Sequence, residues 1–220
     1  LVLAVLEEFG SVSVKELCYY SGVTRIVVEN LRKAGAVELY EQIVYRDPYA
    51  GRDEEPQAEP ILLTDAQQAA YDTILAGDPG KPALLYGVTG SGKTQVYLHL
   101  IQAALAAGRG AMVLVPEIAL TPQLLRIFAA HFGGQIGVLH SSLRAGERYD
   151  EWKRIRRGEA RVVIGTRSAV FAPLEQLGLV ILDEEQEASY KSENNPRYHA
   201  RDVAKYRCVQ SGALLVMGSA

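Results

Sequence analysis

The chain has 220 residues, 48% of them hydrophobic, which is enough for one sizeable core or for a large and a small domain. Its net charge of −3 excludes a molecule that is basic over its whole surface, and no apolar run is long enough to span a membrane. Residues 1–60 hold 6 basic and 11 acidic residues, whereas residues 61–220 hold 17 and 15. A surface that binds a polyanion is therefore expected in the second part.

The cysteines and the chain ends carry little structural information. Cys18 and Cys208 are far apart and have no His or Cys cluster near them, so neither a zinc site nor a disulfide framework is predicted. The opening leucines lack the basic flank and the cleavage site of a signal peptide, and a reducing cytosol fits best. The chain lacks an initiator Met and stops after an apolar strand, so we expect it to be a fragment of a longer protein.

Residues 1–46 are predicted to form a small winged-helix domain. Apolar residues recur at helical spacing in three short segments, with Ser13 and Thr24 as the expected caps of the second and third helices. Two short strands, Val37–Tyr40 and Ile43–Tyr45, follow, and this order of elements is typical of a winged helix.

The third helix of this domain leaves its role open. It carries three basic residues suited to contact with DNA: Arg25, Arg32 and Lys33. The domain as a whole is acidic, however, so a role in packing or protein contact is the alternative.

Residues 47–62 are predicted to be a linker, and residues 63–220 an α/β domain. The linker contains three prolines and five acids and shows no periodic face. In the second domain, apolar strands alternate with helical segments, which predicts a parallel sheet wrapped by helices. Strands are expected at 83–86, 111–115, 136–139, 161–164, 179–182 and 213–217, and helices at 66–76, 95–107, 121–132, 145–157 and 199–210.

A phosphate-binding motif follows the first of these strands. Gly87–Thr94 reads G-x-x-x-x-G-K-T, in which glycines allow backbone N–H groups to curl around phosphates. Lys93 is expected to reach the outer phosphates, and the Thr94 hydroxyl to bind Mg²⁺. The motif therefore predicts a site for a nucleoside triphosphate that includes Gly87, Thr89, Gly90, Ser91, Gly92, Lys93 and Thr94.

An acidic motif follows the buried strand at Leu179–Leu182. Because the carboxyl ends of parallel strands gather catalytic groups, Asp183 is expected near Thr94, with Mg²⁺ between them. Glu184 is expected to orient and deprotonate the attacking water. The predicted catalytic residues are therefore Lys93, Asp183 and Glu184.

The order of the motifs resembles the PriA family of replication-restart DNA helicases, in helicase superfamily two. The resemblance covers nearly all of residues 63–220, and its most specific segments are Ser189–Lys191 and Arg197–Asp202. It implies that the α/β domain is a RecA-like ATP-binding lobe, the first of two motor lobes. The other matching segments are Gly87–Thr94, Val115–Gln123, Val138–Ser141, Ile164–Ala169, Asp183–Glu185 and Gly218–Ala220.

The resemblance also implies a path for single-stranded DNA. Thr121, Thr166 and Arg167 belong to elements that run along the DNA backbone in the family, and small hydroxyls and Arg suit that contact. The loop at residues 187–199 is implied to sense bound DNA and to pass that state to the ATPase site. Its expected DNA-binding residues are Tyr190, Lys191, Arg197 and Tyr198.

Several of these assignments have alternatives. Thr121 could be an ordinary helix cap, Arg167 a surface charge, and the 187–199 loop a polar turn. Gln67 is expected to bind the adenine edge, with Gln68 as its nearest competitor and a solvated helix residue as the alternative. Gln186 stands where the family usually has a His that links the site to the Ser-Ala motif, and it can hydrogen-bond but cannot titrate.

For the intact protein, the resemblance implies an ATP- and Mg²⁺-dependent 3′ to 5′ DNA helicase that acts at stalled forks in primosome assembly and replication restart. The implied partners are forked and single-stranded DNA, single-stranded DNA-binding protein and primosome components, in the cytoplasm with the nucleoid. A second lobe and a zinc-binding region would lie beyond Ala220, so the fragment alone is not expected to unwind DNA.

Two other functions remain open at this point. One is a non-catalytic primosome scaffold with a weakened motor. The other is a fork-remodelling translocase of the RecG type, which shares Gly165–Ala169 but should lack Tyr198–Asp202.

Overall fold

The computed structural model describes most of the chain and divides it into two compact units, Leu1–Val44 and Tyr45–Ala220. Thr89 and most of the predicted linker lie outside the described residues, which are 1–9, 12–40, 62–88 and 90–220.

The first unit contains three short helices around a small apolar core. Val2, Leu17 and Val28, one from each helix, are buried together. Partly buried apolar residues of the same segments pack against them, in agreement with the helical spacing of the sequence. The helices are α1 (Val2–Phe9), α2 (Val14–Ser21) and α3 (Arg25–Lys33).

The predicted caps and hairpin of this unit have different outcomes. The Ser13 hydroxyl accepts a hydrogen bond from the Glu16 N–H at 3.2 Å, which confirms the cap of α2. Thr24 stands at the cap position of α3 but makes no cap hydrogen bond through its side chain. Residues 37–40 carry no strand, and residues 43–45 lie outside the described part of the chain. The winged-helix assignment therefore stays a prediction.

The second unit is built on a six-stranded parallel sheet with the order β1-β6-β5-β2-β4-β3. All six strands were predicted, with boundaries within two residues of those observed. All strands run in the same direction. We call the side of the sheet where the strands end the carboxyl edge, and the side where they begin the amino edge. The strands are β1 (Pro82–Tyr86), β2 (Gly110–Leu114), β3 (Ile136–Leu139), β4 (Val162–Gly165), β5 (Leu177–Leu182) and β6 (Leu214–Ser219).

Helices cover both faces of this sheet, so the strands carry apolar residues on both sides. Val113 and Ile181 pack on the face covered by α4, α5 and α6, whereas Met112 and Val180 pack on the face covered by α7 and α8. The strand β5 is buried along its whole length. Along β1, exposed and half-buried residues alternate, because β1 is an edge strand of the sheet. The helices are α4 (Asp65–Leu75), α5 (Lys93–Ala106), α6 (Pro122–Phe132), α7 (Ala145–Arg156) and α8 (Ala200–Ser211).

Cys18 and Cys208 are both free thiols. In the described ranges, no helix has both the length and the apolar character required to cross a bilayer.

Candidate active site

The phosphate-loop motif and the acidic motif meet at the carboxyl edge, where both bind the end of β6. The Gly87 N–H donates to the Ser219 carbonyl at 3.0 Å, and the Glu185 N–H donates to the Gly218 carbonyl at 2.8 Å. Because β6 lies between β1 and β5, its end holds the two motifs side by side, as the parallel topology predicts.

The phosphate loop joins β1 to α5, which begins at Lys93 and Thr94. The Lys93 ammonium donates a hydrogen bond to the Gly87 carbonyl, so its charge lies within the loop. Gly92 has a φ of 82°, and a Cβ there would overlap Nε2 of Gln67. Glycine is therefore suited to this position for two reasons: it adopts a positive φ readily, and it leaves room for the Gln67 side chain. The predicted residues Gly87, Gly90, Ser91 and Gly92 all lie in this loop.

Gln67 ties the start of α4 to the phosphate loop. Its Oε1 accepts from the Thr64 N–H at 2.9 Å, and its Nε2 donates to the Ser91 carbonyl at 3.1 Å. The Gln68 side chain instead donates to Asp72 within the same helix. Gln67 is therefore the glutamine that lies beside the loop, and its contact with adenine stays a prediction.

The carboxylate of Asp183 is held by Tyr97, a residue of α5. The Tyr97 hydroxyl donates to Oδ1 of Asp183 at 2.8 Å, and the tyrosine side chain is buried. Gly218 leaves room for this contact, since a Cβ there would overlap the Tyr97 hydroxyl and lie 2.7 Å from Oδ1 of Asp183. Burial raises the pKa of the Asp183 carboxyl, and the hydrogen bond from Tyr97 acts against that rise.

Glu184 has an unusual backbone and a defined partner. Its φ is 48°, in the left-handed region that non-glycine residues rarely adopt. Gln186 Nε2 donates to Glu184 Oε2 at 2.6 Å, and the Ser219 hydroxyl donates to Gln186 Oε1 at 3.1 Å. Gln186 thus connects the acidic motif to the end of β6, which is the link expected of the histidine usual at this position.

Two residues of the site were not predicted, Tyr97 and Arg201. Tyr97 lies three residues after Thr94, so helical spacing could have placed both on the same side of α5. Arg201 Nη1 pairs with Glu185 Oε2 at 3.2 Å and thereby attaches the start of α8 to the acidic motif. The sequence marks Arg201 as part of a family-specific segment but gives no sign of this partner.

The two threonines predicted to contact DNA differ in their exposure. The Thr121 side chain accepts from the Leu124 N–H at 3.2 Å, which confirms the alternative prediction of a helix cap. Thr121 is exposed, and its contact with DNA stays a prediction. Thr166 is only 3% exposed, so its side chain presents little surface, and its contact with DNA stays a prediction.

Tyr190 is an internal residue, and the prediction that its ring stacks on DNA is wrong. The residue is fully buried. Its hydroxyl lies 2.9 Å from the Leu114 carbonyl oxygen and 2.6 Å from the Asp183 carbonyl oxygen, at the ends of β2 and β5. The Tyr190 ring is buried because it lies beneath the acidic motif, with its hydroxyl at the Leu114 and Asp183 carbonyls. Tyr190 therefore supports the backbone of Asp183 and presents no face to solvent.

Arg167 holds the segment that carries Tyr190. Its Nη1 donates to the Ser189 carbonyl at 3.2 Å and to the Lys191 carbonyl at 2.6 Å. Its Nε is buried and has no hydrogen-bond partner among the described residues. The guanidinium carbon lies 6.0 Å from the centre of the Tyr198 ring. Arg167 is thus more than a surface charge, and its contact with a DNA phosphate stays a prediction.

The rest of the predicted DNA-sensing loop is ordered by backbone pairing. Lys191 and His199 form an antiparallel bridge, and the Ser192 N–H donates to the Tyr198 carbonyl at 2.7 Å. The Tyr198 ring packs edge-on against Phe171, with 4.9 Å between ring centres. Lys191 and the tip at residues 193–197, which includes Arg197, are exposed. DNA contacts of Lys191, Arg197 and Tyr198 stay predictions.

Residues 64–220, which contain this entire site, match the DEAD/DEAH box helicase family. The chain belongs to this family. It is 49% identical over 209 residues to the replication restart protein PriA of Bacillus subtilis (strain 168), an alignment that covers 93% of the chain and 26% of the relative. It is 52% identical over 164 residues to the replication restart protein PriA of Treponema pallidum (strain Nichols), covering 74% and 25%.

Solved helicase structures have the same fold. A RecG structure bound to a three-way DNA junction matches with a TM-score of 0.53 and 26% identity, over 73% of the chain and 21% of the RecG chain. The UvsW helicase from bacteriophage T4 matches with a TM-score of 0.53 and 16% identity, over 94% of the chain and 69% of the UvsW chain. The predicted RecA-like helicase lobe is therefore confirmed.

The predicted resemblance to the PriA family is confirmed as well, although the chain spans about a quarter of the length of the two PriA relatives. As a DEAD/DEAH box lobe, it presents groups that fit ATP and Mg²⁺. The glycine loop closes at the start of a helix, a lysine lies inside it, and Asp183 lies against that same helix through Tyr97.

Replacing Tyr97 with Phe should weaken the metal-dependent part of nucleotide binding. The ring remains, but the donor that orients Asp183 is lost, and loss of such an outer partner typically costs 10–100-fold in metal affinity. We expect the affinity of this chain for a fluorescent ADP analogue to fall about tenfold with Mg²⁺ and to stay unchanged in EDTA. Tyr149→Phe, at a 56% exposed position, is the control. Equal losses with and without Mg²⁺ would contradict the prediction.

Replacing Tyr190 with Phe should destabilise this helicase lobe. The change removes the single hydroxyl hydrogen that the Leu114 and Asp183 carbonyls share. The Leu114 carbonyl keeps the Asp183 N–H as a donor, whereas the Asp183 carbonyl loses its hydroxyl donor, which costs about 1–3 kcal/mol. Denaturant unfolding of this chain should show that loss, whereas Tyr206→Phe, at a 67% exposed position, should change the free energy of unfolding by less than about 0.5 kcal/mol. An unchanged free energy of unfolding for Tyr190→Phe would show that the hydroxyl does not support the strand ends.

Proposed function

We propose that the chain contains the ATP-binding motor lobe of a replication-restart DNA helicase of the PriA type. The observation that carries this proposal is the joining of the phosphate loop and the acidic motif through the end of β6, in a chain that belongs to the DEAD/DEAH box helicases. The similarity to PriA relatives over nearly the whole chain favours this function over a RecG-type translocase.

The residues of the site have separate roles in this proposal. The backbone of the phosphate loop and Lys93 hold the phosphates of ATP, while Thr94 and Asp183 hold Mg²⁺. A Mg²⁺ ion held by these two residues would supply positive charge to neutralise the charge that develops on the phosphates. Glu184 orients a water molecule and accepts its proton, and Gln186 fixes the Glu184 carboxylate. Gln67 contributes to the nucleotide site from α4.

Signals from DNA would reach this site through its supporting residues. Arg167 follows β4 and binds the carbonyls on both sides of Tyr190, and Tyr190 in turn binds the Asp183 carbonyl. A displacement of the segment around Arg167 by DNA would therefore reach the backbone of Asp183 through two steps. The exposed residues Lys191 and Arg197 would bring the DNA backbone to this segment.

The similarity to PriA relatives also supports a proposal for the wider role of the protein. We propose ATP-driven 3′ to 5′ unwinding at stalled forks, with forked and single-stranded DNA as substrates and with single-stranded DNA-binding protein and primosome components as partners. The protein would work in the cytoplasm with the nucleoid. The alternative of a scaffold with a weakened motor is disfavoured by the bonded surroundings of Lys93, Asp183 and Glu184.

The first test is ATP hydrolysis by the natural full-length protein with and without forked DNA. We expect DNA to stimulate turnover, and Glu184→Gln to lower turnover by at least about a hundredfold, because general-base catalysis contributes 10²–10⁴-fold. Glu7→Gln, at an exposed position of α1, is the charge-matched control. Absent turnover in the unmodified protein despite ATP binding would instead support the scaffold function.

Arg167→Ala tests the proposed path for single-stranded DNA. If Arg167 contacts a phosphate, the variant should have a shallower plot of the logarithm of affinity against the logarithm of salt concentration. We expect the slope to decrease in magnitude by about 1. Fluorescence anisotropy with a labelled single strand gives this slope, and Lys81→Ala, at an exposed position, is the control. An unchanged slope would limit Arg167 to its contacts with Ser189 and Lys191.

A further inference from the structure

A cavity lies at the amino edge of the sheet, opposite the candidate active site. Its volume is about 260 Å³. Gly110, Ile155 and Leu174 form apolar parts of its wall, and three arginines at positions 156, 157 and 161 line it with charge. Strands of four to six residues separate the two edges, which corresponds to roughly 13–20 Å. This site is therefore distinct from the nucleotide and single-strand sites proposed above.

The cavity lies in the most basic segment of the described chain. Residues 153–161 include five basic residues and one acidic residue, in a chain whose net charge is −3. Arg156 and Arg157 are exposed, and Arg161 is half-buried. A charged run on a helix is usually a solvated face, but here the charges converge on a concave surface, where field lines are focused.

The surrounding structure fixes the wall of the cavity and the positions of two of its guanidinium groups. Arg161 Nη2 lies 3.4 Å from the Leu105 carbonyl oxygen and 3.3 Å from the Arg109 carbonyl oxygen. The guanidinium carbon of Arg156 lies 5.1 Å from the centre of the Trp152 ring. Ordering of these side chains before binding reduces the entropy lost when they bind a ligand.

Two neighbouring arginines have internal roles and therefore form part of the scaffold. Arg109 binds the carbonyls of Leu177, Ser211 and Gly212. Arg154 pairs with the buried Glu151 at 2.9 Å. These contacts hold the segments around the cavity together, and the arginines that line the cavity itself are those at positions 156, 157 and 161.

The lining favours phosphate over other ligands, and duplex DNA over a single strand. Arginine is the residue best suited to phosphate, because its planar fork matches the phosphate oxygens. Single-strand sites combine positive charge with exposed aromatic rings on which bases stack. No aromatic residue is among the described residues that line this cavity. Contacts to the backbone alone are typical of duplex positioning.

We propose that this arginine-lined cavity binds the phosphate backbone of a duplex DNA arm. The proposal rests on the proposed function as a DNA helicase, since such an enzyme at a fork meets duplex and single-stranded DNA at once. The duplex arm lies along the amino edge, and the single strand lies along the carboxyl edge. Glu175, which also lines the cavity, and Glu159, which is 3.8 Å from Arg157, oppose the binding of phosphate and limit its strength.

The test is the salt dependence of DNA binding by this chain, measured by fluorescence anisotropy. A labelled blunt duplex and a labelled single strand are compared for the unmodified chain, for Arg156→Gln with Arg157→Gln, and for Glu175→Gln. Each lost phosphate contact makes the duplex slope shallower by about 0.9, so the double variant should lose about 1.8. The single-strand slope should not change. Glu175→Gln should strengthen duplex binding, because it removes a carboxylate from the site.

Arg126→Gln with Lys205→Gln is the matched control, since it removes two positive charges from exposed positions within α6 and α8, away from the cavity lining. An unchanged duplex slope in the arginine variant, or an equal change in the control, would overturn the proposal. Equal changes of the duplex and single-strand slopes would overturn its assignment to duplex DNA. Saturable binding of inorganic pyrophosphate that is lost in the arginine variant, together with an unchanged duplex slope, would assign the cavity to a small anion and would also overturn the proposal.

A second measurement separates this proposal from the proposed function. In the natural full-length protein, the double arginine variant should keep ATP hydrolysis stimulated by single-stranded DNA and should lose affinity for forked DNA. If the unmodified protein shows no stimulated hydrolysis, the proposed motor function is wrong, and the duplex slopes still test whether the cavity binds duplex DNA. If hydrolysis is stimulated but the slopes are unchanged, only the cavity proposal fails.

Discussion

The site depends on the immobilisation of Asp183 at three of its polar groups. Its N–H donates to the Leu114 carbonyl, its carbonyl lies 2.6 Å from the Tyr190 hydroxyl, and its Oδ1 accepts from Tyr97. Both tyrosines are buried, so these hydrogen bonds lie in a region of low dielectric, where they are stronger than in water and costly to leave unmade. The proposed role of Asp183 as a Mg²⁺ ligand would need such support, because outer contacts set the orientation of the groups that bind an ion.

The end of β6 extends this rigidity to the rest of the carboxyl edge. Its last residues accept hydrogen bonds from the phosphate loop and from the acidic motif, and the Ser219 hydroxyl reaches Glu184 through Gln186. Gly218 allows the close approach of Tyr97 that the site requires. The phosphate loop and the acidic motif therefore share one structural support, so a displacement of one motif would be transmitted to the other through the end of β6.

The sequence determined the second unit well because buried parallel strands read as continuous apolar runs, and the phosphate loop has fixed geometric requirements. The sequence was less informative where a side chain of a type suited to ligand binding is buried in the fold. Tyr190 has the ring of a DNA-stacking residue, but its position beneath the acidic motif decides its role. The partners of Tyr97 and Arg201 depend on pairs of residues distant in the chain, which periodicity does not reveal. In the first unit, Val37–Tyr40 has strand-like composition without strand geometry, because β propensity depends on context.

The left-handed backbone of Glu184 has a consequence for the evolution and engineering of such lobes. A non-glycine residue in this conformation costs the folded state about 1–3 kcal/mol. Glycine would relieve that strain but would remove the carboxylate that the proposed function uses as a general base. Under that function, stability and catalysis select different residues at this position, and screens for thermal tolerance alone would favour a substitution that inactivates the protein.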